Sequence, residues 1–139
     1  MDFLSVDYIF PMVALGAIFV IRILPRIQAS RLGVKYVDPH DVKGLTNQGQ
    51  DVLVVDVRSP SEFQGPLGHI PGALNLDAVT LRSSLEMLDR HKEGPTLVTC
   101  RSTNRSPGAA LFLAKNGFKQ VMILQGGMSR WNGSGYPTQ

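Results

Sequence analysis

Cys100 is the one thiol in this 139-residue chain, and six polar or charged residues follow it directly: Arg101, Ser102, Thr103, Asn104, Arg105 and Ser106. An apolar run, "TLVTC" at 96–100, leads into it and reads as a strand. "SPGAALFLAKNG" at 106–117 reads as a helix, with Pro107 in its first turn and Gly117 past its end. A thiol between a strand end and a helix start faces inward-pointing loop amides and the positive end of the helix dipole. Arg101 and Arg105 add full charges. Each of these favours thiolate over thiol and brings a cysteine pKa from about 8.5 toward 7 or below. The chemistry this predicts is nucleophilic attack by sulfur. It needs a sulfur that stays ionised and that a substrate reaches. The bland alternative, a small buried hydrophobe, leaves the donors and charges around Cys100 without a purpose.

Composition narrows the classes. One cysteine excludes an internal disulfide framework and a cysteine-based metal site. His40, His69 and His91 have no ligand spacing, so we expect no metal and no cofactor. A net charge of +3 gives no reason to expect nucleic acid as a partner, and 43% apolar residues suffice for an ordinary core.

The elements that must hold the thiol are legible as alternating patterns. "DVLVVDV" at 51–57 is a β-branched run suited to a strand buried on both faces. "ALNL" at 73–76 and "QVMIL" at 120–124 predict further strands, with a short one near 35–37. An Asp–Pro pair at 38–39 predicts a helix start. "TLRSSLEMLDRH" at 80–91 sets Leu81, Leu85 and Leu88 at helical spacing, with Thr80 as its cap. Strands separated by helices of about ten residues predict an α/β domain with a mainly parallel sheet. Cys100 then lies at the carboxyl edge of a central strand, where such sheets bind ligands.

The first residues are of another kind. "YIFPMVALGAIFVIRIL", Tyr8–Leu24, carries one charge, Arg22, near its end. As a helix it reaches about 25 Å, and Leu4–Val6 extend it toward the ~30 Å of a hydrocarbon core. Arg22 can snorkel to the headgroups, and Pro25 predicts the helix end. A core helix would need a domain around a run apolar on every side. A cleaved signal would carry basic residues ahead of the run, where this chain has Asp2 and Asp7, and "QAS" at 28–30 is a poor cleavage site. We therefore expect a membrane anchor at 3–24, a basic juxtamembrane linker at 25–35 and a soluble domain at 36–139. Residues 22–37, from the end of the span onward, contain Arg22, Arg26, Arg31 and Lys35 with no acid. The positive-inside rule places the N-terminus outside and the domain in the cytoplasm, with the basic stretch on anionic lipid. Ala14, Gly16 and Ala17 permit another membrane protein's helix to pack closely on the anchor.

Four stretches in order, "DVRSPSEF" (56–63), "GHIPGALNL" (68–76), "CRSTNRS" (100–106) and "GGMSRW" (126–131), resemble the rhodanese, or sulfurtransferase, domain. The resemblance spans about 36–137. It implies a five-stranded parallel sheet with helices on both faces. It also implies that Cys100 carries a sulfane sulfur as a persulfide, cradled by the amides from Arg101 to Ser106. Arg105 would meet an anionic donor, while Arg101 points into the site or pairs with a carboxylate. Asp56, Arg58 and Glu62 resemble the family's structural ion network, with Arg58 and Glu62 one helical turn apart. His69 is read as a packing residue in its turn, Trp131 as packing the last helix onto the sheet, and Gly126–Gly127 as the turn before it. One departure stands out: Thr103 occupies a place where members often have glycine. A β-branched residue resists positive φ, so the loop is expected to hold negative φ there or to be reshaped, with the Thr hydroxyl free for a bound oxyanion.

The expected reaction passes sulfur from a small donor, thiosulfate or a persulfide, to a thiol-bearing acceptor. Two rivals remain. In cysteine phosphatases, which also use a cysteine, an amide cradle and an arginine, the arginine falls one position further along. The other is a membrane-tethered docking subunit that uses the same fold without catalysis.

Overall fold

The computed structural model describes residues 6–139, so residues 3–5 of the expected anchor lie outside the described residues. One helix opens the chain in three pieces: α1 (Val6–Ile18), a π-helical turn (Phe19–Ile23) and α2 (Leu24–Arg31). β1 (Lys35–Val37), α3 (Pro39–Asn47), β2 (Leu53–Asp56), α4 (Pro60–Phe63) and β3 (Leu74–Asn75) follow. Then come α5 (Ala78–Ser83), α6 (Leu85–Leu88), a 3-10 turn (Asp89–His91), β4 (Pro95–Thr99), α7 (Ser106–Lys115), β5 (Gln120–Leu124) and α8 (Gly127–Gly133).

The five strands form one sheet in the order β1-β5-β4-β2-β3, and every pairing is parallel. β4 is the middle strand, and its residues 96–99 are all buried. Side chains alternate between two cores, as a two-sided sheet requires. Val55, Val98 and Ile123 pack with Ala29, Leu81, Ala110 and Leu113 from α2, α5 and α7. Val54, Leu97 and Met122 pack with Val42, Met128 and Trp131 from α3 and α8. The predicted fold class therefore holds.

Three local expectations change. The run at 80–91 is not one helix. Asp77, not Thr80, caps α5 by accepting from the Val79 and Thr80 amides. The hydroxyls of Ser83 and Ser84 both donate to the Thr80 carbonyl, and α5 ends at Ser83. Pro25 does not end the first helix, and residues 25–31 of the expected linker are helical. The preceding turn widens, so that the Leu24 amide reaches back to the Phe19 carbonyl. Helix continues because Ala29 finds a buried seat beside α7, fully removed from solvent. Among the described residues the helix Tyr8–Arg31 is long and apolar enough to cross a membrane, and its apolar window is unburied.

Candidate active site

Cys100 follows directly on β4, and its loop turns into α7 at Ser106. The Thr103 amide donates to Cys100 Sγ at 3.2 Å, and the buried Ser106 hydroxyl lies 3.6 Å from the same sulfur. Burial pushes the Cys100 pKa up. The Ser106 hydroxyl and the amides of Arg105, Ser106 and Ser102 outweigh it, and the net shift is downward. The surroundings thus favour an anionic sulfur, as the loop composition predicted. Access is a different matter: Cys100 is 1% exposed and belongs to the core cluster under α7.

The loop rests on the first turn of α8. The Met128 amide donates to the Cys100 carbonyl at 2.8 Å, and the Ser129 amide to the Arg101 carbonyl at 3.0 Å. Contact this close needs a glycine at 127: its φ is +58°, and a Cβ there would stand 2.5 Å from the Cys100 carbonyl oxygen. Thr103 has φ +88°, against the expectation of negative φ. Its hydroxyl oxygen accepts the Gly126 amide proton at 2.7 Å, which leaves its own O–H proton to donate to an oxyanion. That bond holds the strained residue in the orientation that turns its own N–H toward the sulfur.

Arg105 does not stand open to a donor. It grips Glu62 with two hydrogen bonds of 2.8 and 2.7 Å. The same Glu62 accepts from the Ser59 amide at the start of α4, closing a capping box. The Arg105 hydrogen bonds, with the Ser59 amide next, hold the Glu62 pKa down at about 2. Arg58 takes a different partner from the one its spacing suggested. Its guanidinium binds Asp56 through Nε (2.9 Å to Oδ1) and Nη2 (2.7 Å to Oδ2), and both residues are buried. From Glu62 it takes only the backbone carbonyl, at 3.1 Å. A buried carboxylate without a partner is costly, and Asp56 has the prior claim.

Arg101 is exposed and lines a cleft of about 420 Å³ with Arg58, Ser61, Glu62 and Leu67. Ser102 and Asn104 are exposed on the loop. His69 stacks on Phe63 with ring centroids 3.7 Å apart, and its Nδ1 lies 3.1 Å from the Phe63 carbonyl oxygen. Trp131 is buried against the sheet and donates to the Pro137 carbonyl. Asn75 was not singled out from the sequence. Its amide donates to the carbonyls of Asp56 and Arg58 and fixes the bend after β2. Its signal was a lone asparagine within the apolar "ALNL". Among the described residues no cluster of histidine, cysteine or carboxylate side chains is placed to hold a metal.

The family described as "Rhodanese-like domain" matches residues 38–134. The chain belongs to this family. A thiosulfate sulfurtransferase GlpE of Ectopseudomonas mendocina is 34% identical over 105 residues, which is 76% of this chain and 90% of that protein. A GlpE of Pseudomonas fluorescens is 36% identical over 97 residues, or 70% of this chain and 84% of its own length. Among solved structures, a rhodanese-related protein of Thermoplasma volcanium superposes with a TM-score of 0.65 at 27% identity, covering 76% of this chain and 97% of that one. The match begins at the residue that caps α3, so the apolar helix is an addition to the rhodanese-like part. All four quoted stretches fall within the matched segment.

Proposed function

We propose that the protein is a membrane-anchored sulfurtransferase that passes a sulfane sulfur from thiosulfate or a persulfide to a thiol acceptor through a Cys100 persulfide. The observation that carries the reading is the donor-lined seat of Sγ: the Thr103 amide aims at the sulfur and the net pKa shift favours thiolate. In the first half-reaction the Cys100 thiolate attacks the outer sulfur of thiosulfate. A new S–S bond forms, and sulfite departs with the electron pair of the old one. The persulfide, like the thiolate, is an anion for the amides of residues 101–106 to hold. In the second half an acceptor thiolate attacks the outer sulfur, and Cys100 leaves as thiolate again. The curated relatives named thiosulfate sulfurtransferase support the donor class.

The two loop arginines differ in their partners. Arg105, neutralised by Glu62, clamps the loop to α4. Arg101 is the exposed cation left for an anionic donor. Asp56 and Arg58 brace the bend beneath. In the same reading residues 3–24 anchor the chain, 25–35 join the anchor to the domain and 36–139 carry the chemistry in the cytoplasm. The exposed apolar face of the first helix supports the anchor, with Phe10 75% and Ile21 72% exposed. Protease added to right-side-out vesicles should spare the domain; digestion would reverse this topology.

Intact-mass spectrometry after thiosulfate treatment tests the chemistry. We expect a gain of ~32 Da that reductant removes and that Cys100→Ser abolishes. The near-complete burial of Cys100 favours a second reading, a tethered docking module without turnover. In that case no mass is gained, and Cys100→Ser keeps its partner.

A further inference from the structure

A second cleft, of about 310 Å³, opens beside the Cys100 loop between α5 and α7. Its walls are apolar: Val57 after β2, Leu81 from α5, and Ala109 and Phe112 from α7. Two cations stand at it, and they are not equivalent. Arg105 is held by Glu62. Arg82 is exposed and lies 5.7 Å from the Phe112 ring centroid. Among the described residues no carboxylate pairs with Arg82. The cleft abuts the loop itself, since Arg105 is both a wall residue and one of the amides that lower the Cys100 pKa.

We infer that this cleft is the acceptor subsite, taking a small aliphatic thiol that carries an anionic group for Arg82. The inference rests on the sulfurtransferase reading and names the class of its second substrate. Thiosulfate is compact and doubly charged, and has no apolar body for these walls. The acceptor is the other substrate. This chain holds one cysteine, so the acceptor must bring its thiol to the loop. The size fits a small molecule, at the lower end of ligand pockets. In the transfer the acceptor thiolate forms a bond to the outer sulfur of the persulfide. The Sγ–S bond breaks, its pair returns to Sγ, and the acceptor departs as a persulfide with no net oxidation.

The test uses the full chain in detergent and two thiols of equal length, ω-mercaptohexanoate and ω-mercaptohexanol, with the persulfide formed from thiosulfate. We expect kcat/KM for the acid to exceed that for the alcohol by about fivefold, the upper range for one exposed ion contact. Arg82→Gln should collapse the difference between the two. Gly108→Leu should weaken both, because a Cβ at Gly108 meets nothing within 4 Å and the new side chain enters open space at the cleft. Binding of methylthiohexanoate, which cannot accept sulfur, is read separately by calorimetry. It should weaken about fivefold in Arg82→Gln. Equal use of acid and alcohol by the native protein, or binding that ignores both substitutions, overturns the subsite. If the native protein binds the thioether but takes no sulfur from thiosulfate, the cleft stands and the sulfurtransferase reading fails.

Discussion

Thr103 sits where its own chemistry is least comfortable. A β-branched residue at φ +88° is strained by about 1–3 kcal/mol, and such strain persists only where neighbours over-determine it. Here the determinant is one hydrogen bond, from the Gly126 amide to Oγ1. Thr103→Val keeps the shape and loses that acceptor, leaving the Gly126 amide unpaired. The Thr103 N–H should then drift from the sulfur. One hydrogen bond to an anion is worth about one pH unit of thiol acidity. The midpoint of Cys100 alkylation against pH should therefore rise by about one unit in Thr103→Val and hold in Thr103→Ser. Because the native pKa is depressed, the loss of rate is largest near neutral pH. It vanishes above the ordinary thiol range, where both proteins are ionised. Equal midpoints for Val and Ser would remove the hydroxyl from the account. The thiol and its charged loop were legible from residue types alone. The partner of Arg105 was not: Glu62 lies 43 positions away, and the Arg58–Glu62 spacing offered a nearer, wrong pairing. Burial of Asp56 decided that competition, and burial is a property of the fold.

Between elements, the loop is held from two sides. α4 holds it through Glu62 and Arg105, and the first turn of α8 holds it through the Cys100 and Arg101 carbonyls. The first hold is acid-sensitive. Glu62 has its folded pKa lowered from 4.5 to about 2, so its stabilisation is complete above pH 4.5 and lost as pH falls through about 2. Glu62→Gln should lower the denaturation midpoint at pH 7, and the gap to the native protein should close between pH 4.5 and 2. A gap that persists at pH 2 would assign the effect to packing. The second hold is steric. Gly127→Ala brings a Cβ to 2.5 Å from a backbone oxygen in a positive-φ position, and should cost about 2–4 kcal/mol by chemical denaturation. The strands were readable because apolar runs of the right length end in turn signals. Helix limits were less so, because two serine hydroxyls and Asp77 decide them through local bonds that leave the leucine spacing intact.

For the molecule as a whole, the decisive feature is that the apolar helix is not on a leash. It runs from Val6 to Arg31 without an irregular break, and its last turns dock on α7, the helix that begins at the Cys100 loop. Ala29 is fully buried in the same core as Cys100, Ala110 and Leu113, and Val34 joins it before β1. A basic, proline-marked stretch read as a linker because its two small or apolar contacts are too few to show a period. α2 therefore packs on the folded domain, with Ala29 in the core under α7. Two neighbouring charges separate these pictures. Ala29→Glu places an unpaired carboxylate in the core and should lower stability of the full chain by about 2–4 kcal/mol. Gln28→Glu adds the same charge on an exposed position one residue earlier, and should stay within about 0.5 kcal/mol of the native protein. Followed by Trp131 fluorescence, which reports the opposite face of the sheet, only the first should move the unfolding midpoint. A linker that packs on nothing would leave both variants at the native value, and the docking of α2 on α7 would then add nothing to stability.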